Sequence, residues 1–176
     1  AFPFVDLVLR GEAEIALPIL IRELECGGQY DRVAGLTYRD GSGVRRNESA
    51  PVIADLDSLP SPAYHLSRCL EGSRTASLEL GRGCPFSCTF CSTNDFFRRN
   101  FRLRSPDRVL QDMRAIAAKY SITDFELVHD MFTVDRRRVM EFCEAIIASG
   151  DGFTWSCSAR TDCVDESLLE LMVKSG

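Results

Sequence analysis

From residue 76 onward the chain alternates short apolar strands with capped amphipathic helices, a rhythm that little other than a parallel sheet can satisfy. Ala76–Leu80 reads as a strand. Ser105-Pro106-Asp107 then starts a helix, with a hydroxyl at the cap, a proline where no amide is needed and an acid in the first turn. Val109, Leu110, Met113, Ile116, Ala117 and Tyr120 form its apolar stripe. Phe125–Val128 is the next strand, and Asp135 caps a helix whose inner face is Val139, Cys143, Ile146 and Ile147. Phe153–Cys157 is a third strand, and Asp165 opens a helix through Leu168, Leu169 and Met172. A βαβαβα order implies parallel strands joined by right-handed crossovers. Three such units are too few to close a barrel, so the expected fold class is α/β, a truncated barrel.

The front of the chain has a different pattern. Residues 1–9 read as a short buried strand, and Gly11-Glu12-Ala13-Glu14 opens a helix through Ile15, Ile19, Leu20 and Leu24. Pro18 is tolerable there only in the first turns, and Gly27-Gly28 ends the helix. A hairpin follows: Val33–Tyr38, a turn at Asp40-Gly41-Ser42-Gly43, then Val44–Asn47. Residues 48–64, with Pro51, Pro60, Pro62, Asp55 and Asp57, read as a linker. This makes a small α+β linker ahead of the parallel core.

Composition narrows the class. The chain has 176 residues, 45% hydrophobic and 27% charged, enough for one domain with a real core and an appended piece. A net charge of -5 argues against a nucleic-acid scaffold. No apolar run has transmembrane length and no signal peptide is visible, so no membrane partner is expected. The first residue is Ala1 rather than Met, which suggests a chain that begins inside a longer protein. Of the 8 cysteines, Cys26, Cys69, Cys143, Cys157 and Cys163 are scattered, several in apolar patterns where a reduced thiol packs as a small hydrophobe. A reducing cytoplasm is the expected setting.

The other three cysteines lie together, in Gly81-Arg82-Gly83-Cys84-Pro85-Phe86-Ser87-Cys88-Thr89-Phe90-Cys91. The spacing is C-x3-C-x2-C, directly after the first strand of the series, and ligands of parallel α/β sheets bind beyond the carboxyl ends of the strands. A closed metal site usually takes four protein ligands. Three thiolates on one tight loop suggest a cluster with one iron left open. The rival readings are a zinc-binding module, which would want a second Cys or His pair, and an iron–sulfur electron-transfer module, which would want a fourth ligand.

This loop, with Phe90 just before the last cysteine, the preceding strand and the βα repeat, resembles the radical S-adenosylmethionine (radical SAM) superfamily. The resemblance implies a truncated radical SAM βα barrel, its first three βα units in residues 73–176. It implies that Cys84, Cys88 and Cys91 hold a 4Fe–4S cluster whose fourth iron takes the amino and carboxylate groups of S-adenosylmethionine. One electron, from an external donor such as flavodoxin or ferredoxin, would then yield methionine and a 5′-deoxyadenosyl radical. Phe90 would lie against the adenine, or simply pack the loop. The second strand ends His129-Asp130-Met131-Phe132, where cobalamin-associated members carry two acids before x-Phe. His129 takes the first acid's place, as a hydrogen-bonding neighbour or a polar core residue. Asp130 is either a cofactor contact or a capping or solvated acid. After the third strand, Arg160 would pair with the cofactor carboxylate or bridge to Asp162 or Asp130, and Ser158 would offer a hydroxyl.

Residues 96–104, basic and aromatic, resemble the family's R-x-R-S passage from the cluster loop into the first helix rather than a nucleic-acid patch. Residues 7–14, the hairpin and residues 55–64 resemble the stretch that joins a cobalamin-binding domain to the radical core. Residues 1–14 would then end a cobalamin-binding-like domain, with 15–72 as helix, hairpin and Pro-rich linker. The cobalamin would be held by a domain outside this chain. The implied function is a cobalamin-dependent methylation or radical rearrangement, with a methylthiotransferase-type radical SAM enzyme as the close rival.

Overall fold

The computed structural model describes residues 4–66 and 68–176. It divides into two compact units, Ala1–Ala54 and Asp55–Gly176. In the first, β1 (Leu7–Leu9), α1 (Ala16–Cys26), β2 (Leu36–Asp40) and β3 (Gly43–Arg46) follow in order. The strands form an antiparallel sheet, β1-β2-β3, with Asp40 facing Gly43 across a tight turn. The strand expected over residues 1–9 is shorter and only half-buried, and residues 1–3 lie outside the described residues. Pro18 sits in the first turn of α1, where its missing N–H costs nothing, and Gly27 closes the helix at φ 90. The inner face of α1 is Ala16 and Leu20, packed with Val33 and Leu36, whereas Ile15, Ile19 and Leu24 face outward. The N-terminal half of α1 is apolar all round, so periodicity alone does not select its buried face. Glu12 is buried and accepts the Ile53 N–H at 2.8 Å.

The second unit carries the parallel architecture expected from residue 76. Its elements are β4 (Thr75–Glu79), β5 (Gly81–Arg82), α2 (Thr93–Phe97), β6 (Arg102–Leu103), α3 (Pro106–Tyr120), β7 (Asp124–Val128), α4 (Arg136–Ser149), β8 (Thr154–Cys157) and α5 (Glu166–Lys174). The sheet order is β4-β7-β8, all parallel, an open part of a βα barrel. Ser105, Asp135 and Asp165 each cap a helix by accepting a backbone N–H three residues on.

Alternation along the strands divides the sheet. Ala76, Leu78, Phe125 and Leu127 are buried against the helices with Val109, Met113, Val139 and Phe142. Phe142 takes the inner position on α4 while Ile147 is exposed, and on α5 Leu168 is buried while Leu169 is exposed. The opposite face is polar. In register it presents Ser77, Glu126 and Ser156 side by side, with Thr75, Asp124 and Thr154 one layer below. A face of this kind is built for contact with ligand or water rather than for filling with the branched side chains of a packed barrel interior.

A glycine is required at position 83, at the base of the cysteine loop. Gly83 has φ +82, and a Cβ there would run into the Asn100 carbonyl oxygen, a backbone atom that cannot swing away. Gly83→Ala is expected to cost about 1–3 kcal/mol in chemical denaturation. Gly41→Ala is the control and should be nearly neutral, since nothing lies within 4 Å of its added carbon.

Candidate functional site

The cysteine loop leaves the sheet and returns to it on a short antiparallel ladder, Gly81 opposite Leu103 and Arg82 opposite Arg102. Just outside the ladder, the Arg104 N–H donates to the Leu80 carbonyl at 2.9 Å. The loop therefore stands on the carboxyl end of β4 with both feet fixed. Cys84 is buried, 9% exposed, while Cys88 and Cys91 are half-buried, and all three are free thiols. The Cys91 N–H donates to the Cys88 carbonyl at 3.2 Å, which makes that part of the loop a tight turn. Among the described residues, no three His, Cys, Asp or Glu side chains converge closely enough to hold one metal ion. A cluster carries each thiolate on a different iron, so its ligands do not need to meet at a point. Three reduced thiols on one anchored loop are a donor set that fits such a cluster.

Beside the loop, at the carboxyl ends of β4, β7 and β8, lies a cavity of about 520 Å³. Asp130 and Ser158 both line it, together with His129, Glu79, Glu126 and Arg82. Glu79 accepts from Arg82 Nε at 2.8 Å and Nη2 at 3.0 Å, and Glu126 accepts from the Ser77 hydroxyl at 2.8 Å. Phe90, Arg160 and the three cysteines are not in the cavity wall. Phe90 is 90% exposed, so it does not pack the loop.

Arg160 takes one of its three expected pairings. Its guanidinium forks onto Asp162 at 2.9 and 2.6 Å, not onto Asp130, and holds the Asp162 carboxyl down to about 2. It also lies over the Phe86 ring of the cysteine loop, 4.1 Å from the centroid. From there it is in electrostatic reach of Cys88, as Cys163 is of Cys84.

His129 is buried, and burial pushes its imidazole below the ordinary value, so the ring is neutral. Sequence reasoning missed the Glu79–Arg82 pair, Glu126 and the Phe86–Arg160 contact. Glu79 and Glu126 had a signal: both fall on the strand positions opposite the apolar ones. The contact of Phe86 with Arg160 had none, since it joins two loops far apart in sequence.

Comparison with known proteins adds an independent line. The model of the radical SAM superfamily matches residues 78–176. An uncharacterized methyltransferase of Pyrococcus horikoshii is 29% identical over 178 residues, covering 99% of this chain and 39% of that protein. An anaerobic magnesium-protoporphyrin IX monomethyl ester cyclase of Cereibacter sphaeroides is 32% identical over 187 residues, covering 99% of this chain and 30% of that protein. The chain thus spans well under half the length of these relatives. Among solved structures, the cobalamin-dependent S-adenosylmethionine radical enzyme OxsB, with aqua-cobalamin and S-adenosylmethionine bound, superposes with TM-score 0.75 at 26% identity, over 96% of this chain and 25% of that one. The radical S-adenosylmethionine methyltransferase TsrM of Kitasatospora setae, with cobalamin and a [4Fe-4S] cluster bound, has TM-score 0.77 at 17% identity over 97% of this chain and 37% of that one, a likeness of fold. Among the described residues no helix is long and apolar enough to cross a membrane.

Proposed function

Since this chain belongs to the radical SAM superfamily of enzymes, we propose that it binds a 4Fe–4S cluster through Cys84, Cys88 and Cys91 and S-adenosylmethionine in the neighbouring cavity. The observation that carries the reading is the anchored three-thiol loop on the carboxyl end of β4, next to a cavity walled by the polar ends of three parallel strands. When bound, such a cluster supplies the electron that cleaves S-adenosylmethionine to methionine and a 5′-deoxyadenosyl radical.

The chain's own residues bind and orient. Asp130, on the cavity wall, is an acceptor for the cofactor's amino group, and Ser158 offers a hydroxyl on the next strand end. Phe90, exposed beside Cys91, is free to lie against an adenine. Arg160 reaches a carboxylate only by giving up Asp162; while it keeps that partner it braces the loop through Phe86. The Glu79–Arg82 pair closes the cavity with a neutralised charge rather than a free one.

We assign residues 73–176 to the N-terminal half of the radical core, 15–72 to a connecting segment and 1–14 to the end of a cobalamin-binding-like domain. The named relatives support a cobalamin-dependent methylation or radical rearrangement, with the corrin held by a domain outside this chain. A cytoplasmic setting and an external one-electron donor complete the reading.

Anaerobic reconstitution with iron and sulfide, followed by EPR of the reduced protein, tests it. The spectrum is expected to change when S-adenosylmethionine is added, because the ligand occupies the open iron. A cluster signal indifferent to S-adenosylmethionine, or zinc bound at one equivalent with no cluster formed, would sink the proposal.

A further inference from the structure

His129 stands one residue past β7, on the side of the strand that faces the helices, yet it also touches the cavity. It is 5% exposed. Its Nδ1 accepts the Met131 N–H at 2.8 Å, so that nitrogen carries no proton. The ring is neutral, which puts its one proton on Nε2. That N–H is buried and makes no hydrogen bond of normal geometry among the described residues. An unmet buried donor is costly to keep, and a neutral imidazole with one nitrogen fixed is a donor held in a set direction. What it faces is the base of the cysteine loop. The backbone of Arg82 lies within its reach, and its Cδ2 is 2.9 Å from where a Cβ on Gly81 would sit. On the returning side, the Phe101 ring meets it edge-on at 5.2 Å and 89°. The imidazole is therefore wedged between the outgoing and returning arms of the ladder that carries the loop.

We infer that His129 is a positioning residue for the cysteine loop: its Nε2–H closes onto the Arg82 carbonyl and sets the backbone two residues before Cys84. This rests on the reading that Cys84, Cys88 and Cys91 hold a cluster. A Cβ on Gly81 would meet the Arg102 carbonyl and Leu103 as well as the ring, and no ionised acid at position 129 supplies the donor.

The test uses the intact protein, reconstituted with iron and sulfide, and reads cluster loss to a chelator rather than turnover. His129→Asn keeps an acceptor where Nδ1 lies but lacks a donor at Nε2, and His129→Gln places an amide donor near Nε2. H129N is expected to lose iron about 10- to 100-fold faster than the wild type, with H129Q close to wild type. Alkylation of Cys84 in the metal-free protein should be faster in H129N for the same reason. His129→Asp, also an acceptor without a donor, gives the same contrast should H129N not fold. If H129N retains iron as the wild type does, the inference is wrong. If H129Q loses iron as fast as H129N, the ring acts by packing alone, and the inference is also wrong. A wild-type protein that assembles no cluster overturns the underlying reading instead, and this inference with it.

Discussion

Replacing Cys84, Cys88 or Cys91 singly with alanine is expected to abolish cluster assembly, with iron after anaerobic reconstitution falling below about a tenth of the wild-type content. Reductive cleavage of S-adenosylmethionine should fall to background with it. The effect is large because a three-thiolate set has no spare ligand. The other cysteines are poor substitutes for physical reasons. Burial pushes the Cys157 thiol up to about 11 and raises that of Cys143, so both stay protonated near neutral pH, and it is the thiolate that binds metal. Cys26 and Cys69 are exposed and belong to other segments. Cys163 is the informative control, since it lies in electrostatic reach of Cys84. Cys163→Ala should keep full iron, and the Cys84→Ala protein should not be rescued by Cys163. Iron and sulfide analysis with absorption spectra reads all of these variants. Full iron content in any one of the Cys84, Cys88 or Cys91 variants would show that the loop is not the ligand set.

The features legible in the sequence were those whose signal is local. The helix starts at Ser105, Asp135 and Asp165 are each written in a few adjacent residues, and each cap makes its bond three residues on. The cysteine spacing is local in the same sense. Strand positions followed from short apolar runs. The face that α1 buries was not legible, because Ile15, Leu17, Ile19 and Ile21 are as apolar as Ala16 and Leu20, and only the sheet beneath decides among them.

The cavity was half legible. Asp130 and Ser158 were named from the family resemblance at strand ends, and both line the cavity. The wall between them needs the register of three strands, which aligns Ser77 with Glu126 and Glu126 with Ser156. Arg160 shows the other limit. Its pairing with Asp162 is local and was among the readings open to it, but its place over Phe86 depends on how two loops meet.

Asp112 gives the second large effect. It lies on the inner side of α3, 2% exposed, in a position that helical periodicity assigns to the core. Its carboxylate accepts from Arg104 Nη1 at 3.0 Å, from Arg108 Nε at 3.3 Å and from the Ser61 hydroxyl at 2.5 Å. Arg104 is itself buried, its side chain 3% exposed, and it also approaches Glu79 at 3.7 Å. Asp112→Ala takes the nearer carboxylate from the buried Arg104 and leaves it to the longer Glu79 contact, and a loss of about 3–5 kcal/mol is expected in chemical denaturation. The double variant Arg104→Met/Asp112→Leu should recover part of that loss, because the two desolvation costs leave together with these charges while Arg108 keeps its Asp57 and Leu59 carbonyl partners. A loss below about 1 kcal/mol for Asp112→Ala would put the pair in the class of exposed bridges and contradict its burial. The consequence reaches the candidate site. The Arg104 backbone is tied to Leu80 at the foot of the cysteine loop, and Glu79, which Arg104 approaches from behind, holds Arg82 on the cavity wall. The ion pairs thus run from α3 through Arg104 and Glu79 to the residue two before Cys84. Asp112→Ala should therefore speed alkylation of Cys84 as well as lower stability. The double variant separates the two effects: restored stability with a still-reactive Cys84 would mean that the pairs seat the loop as well as hold the fold.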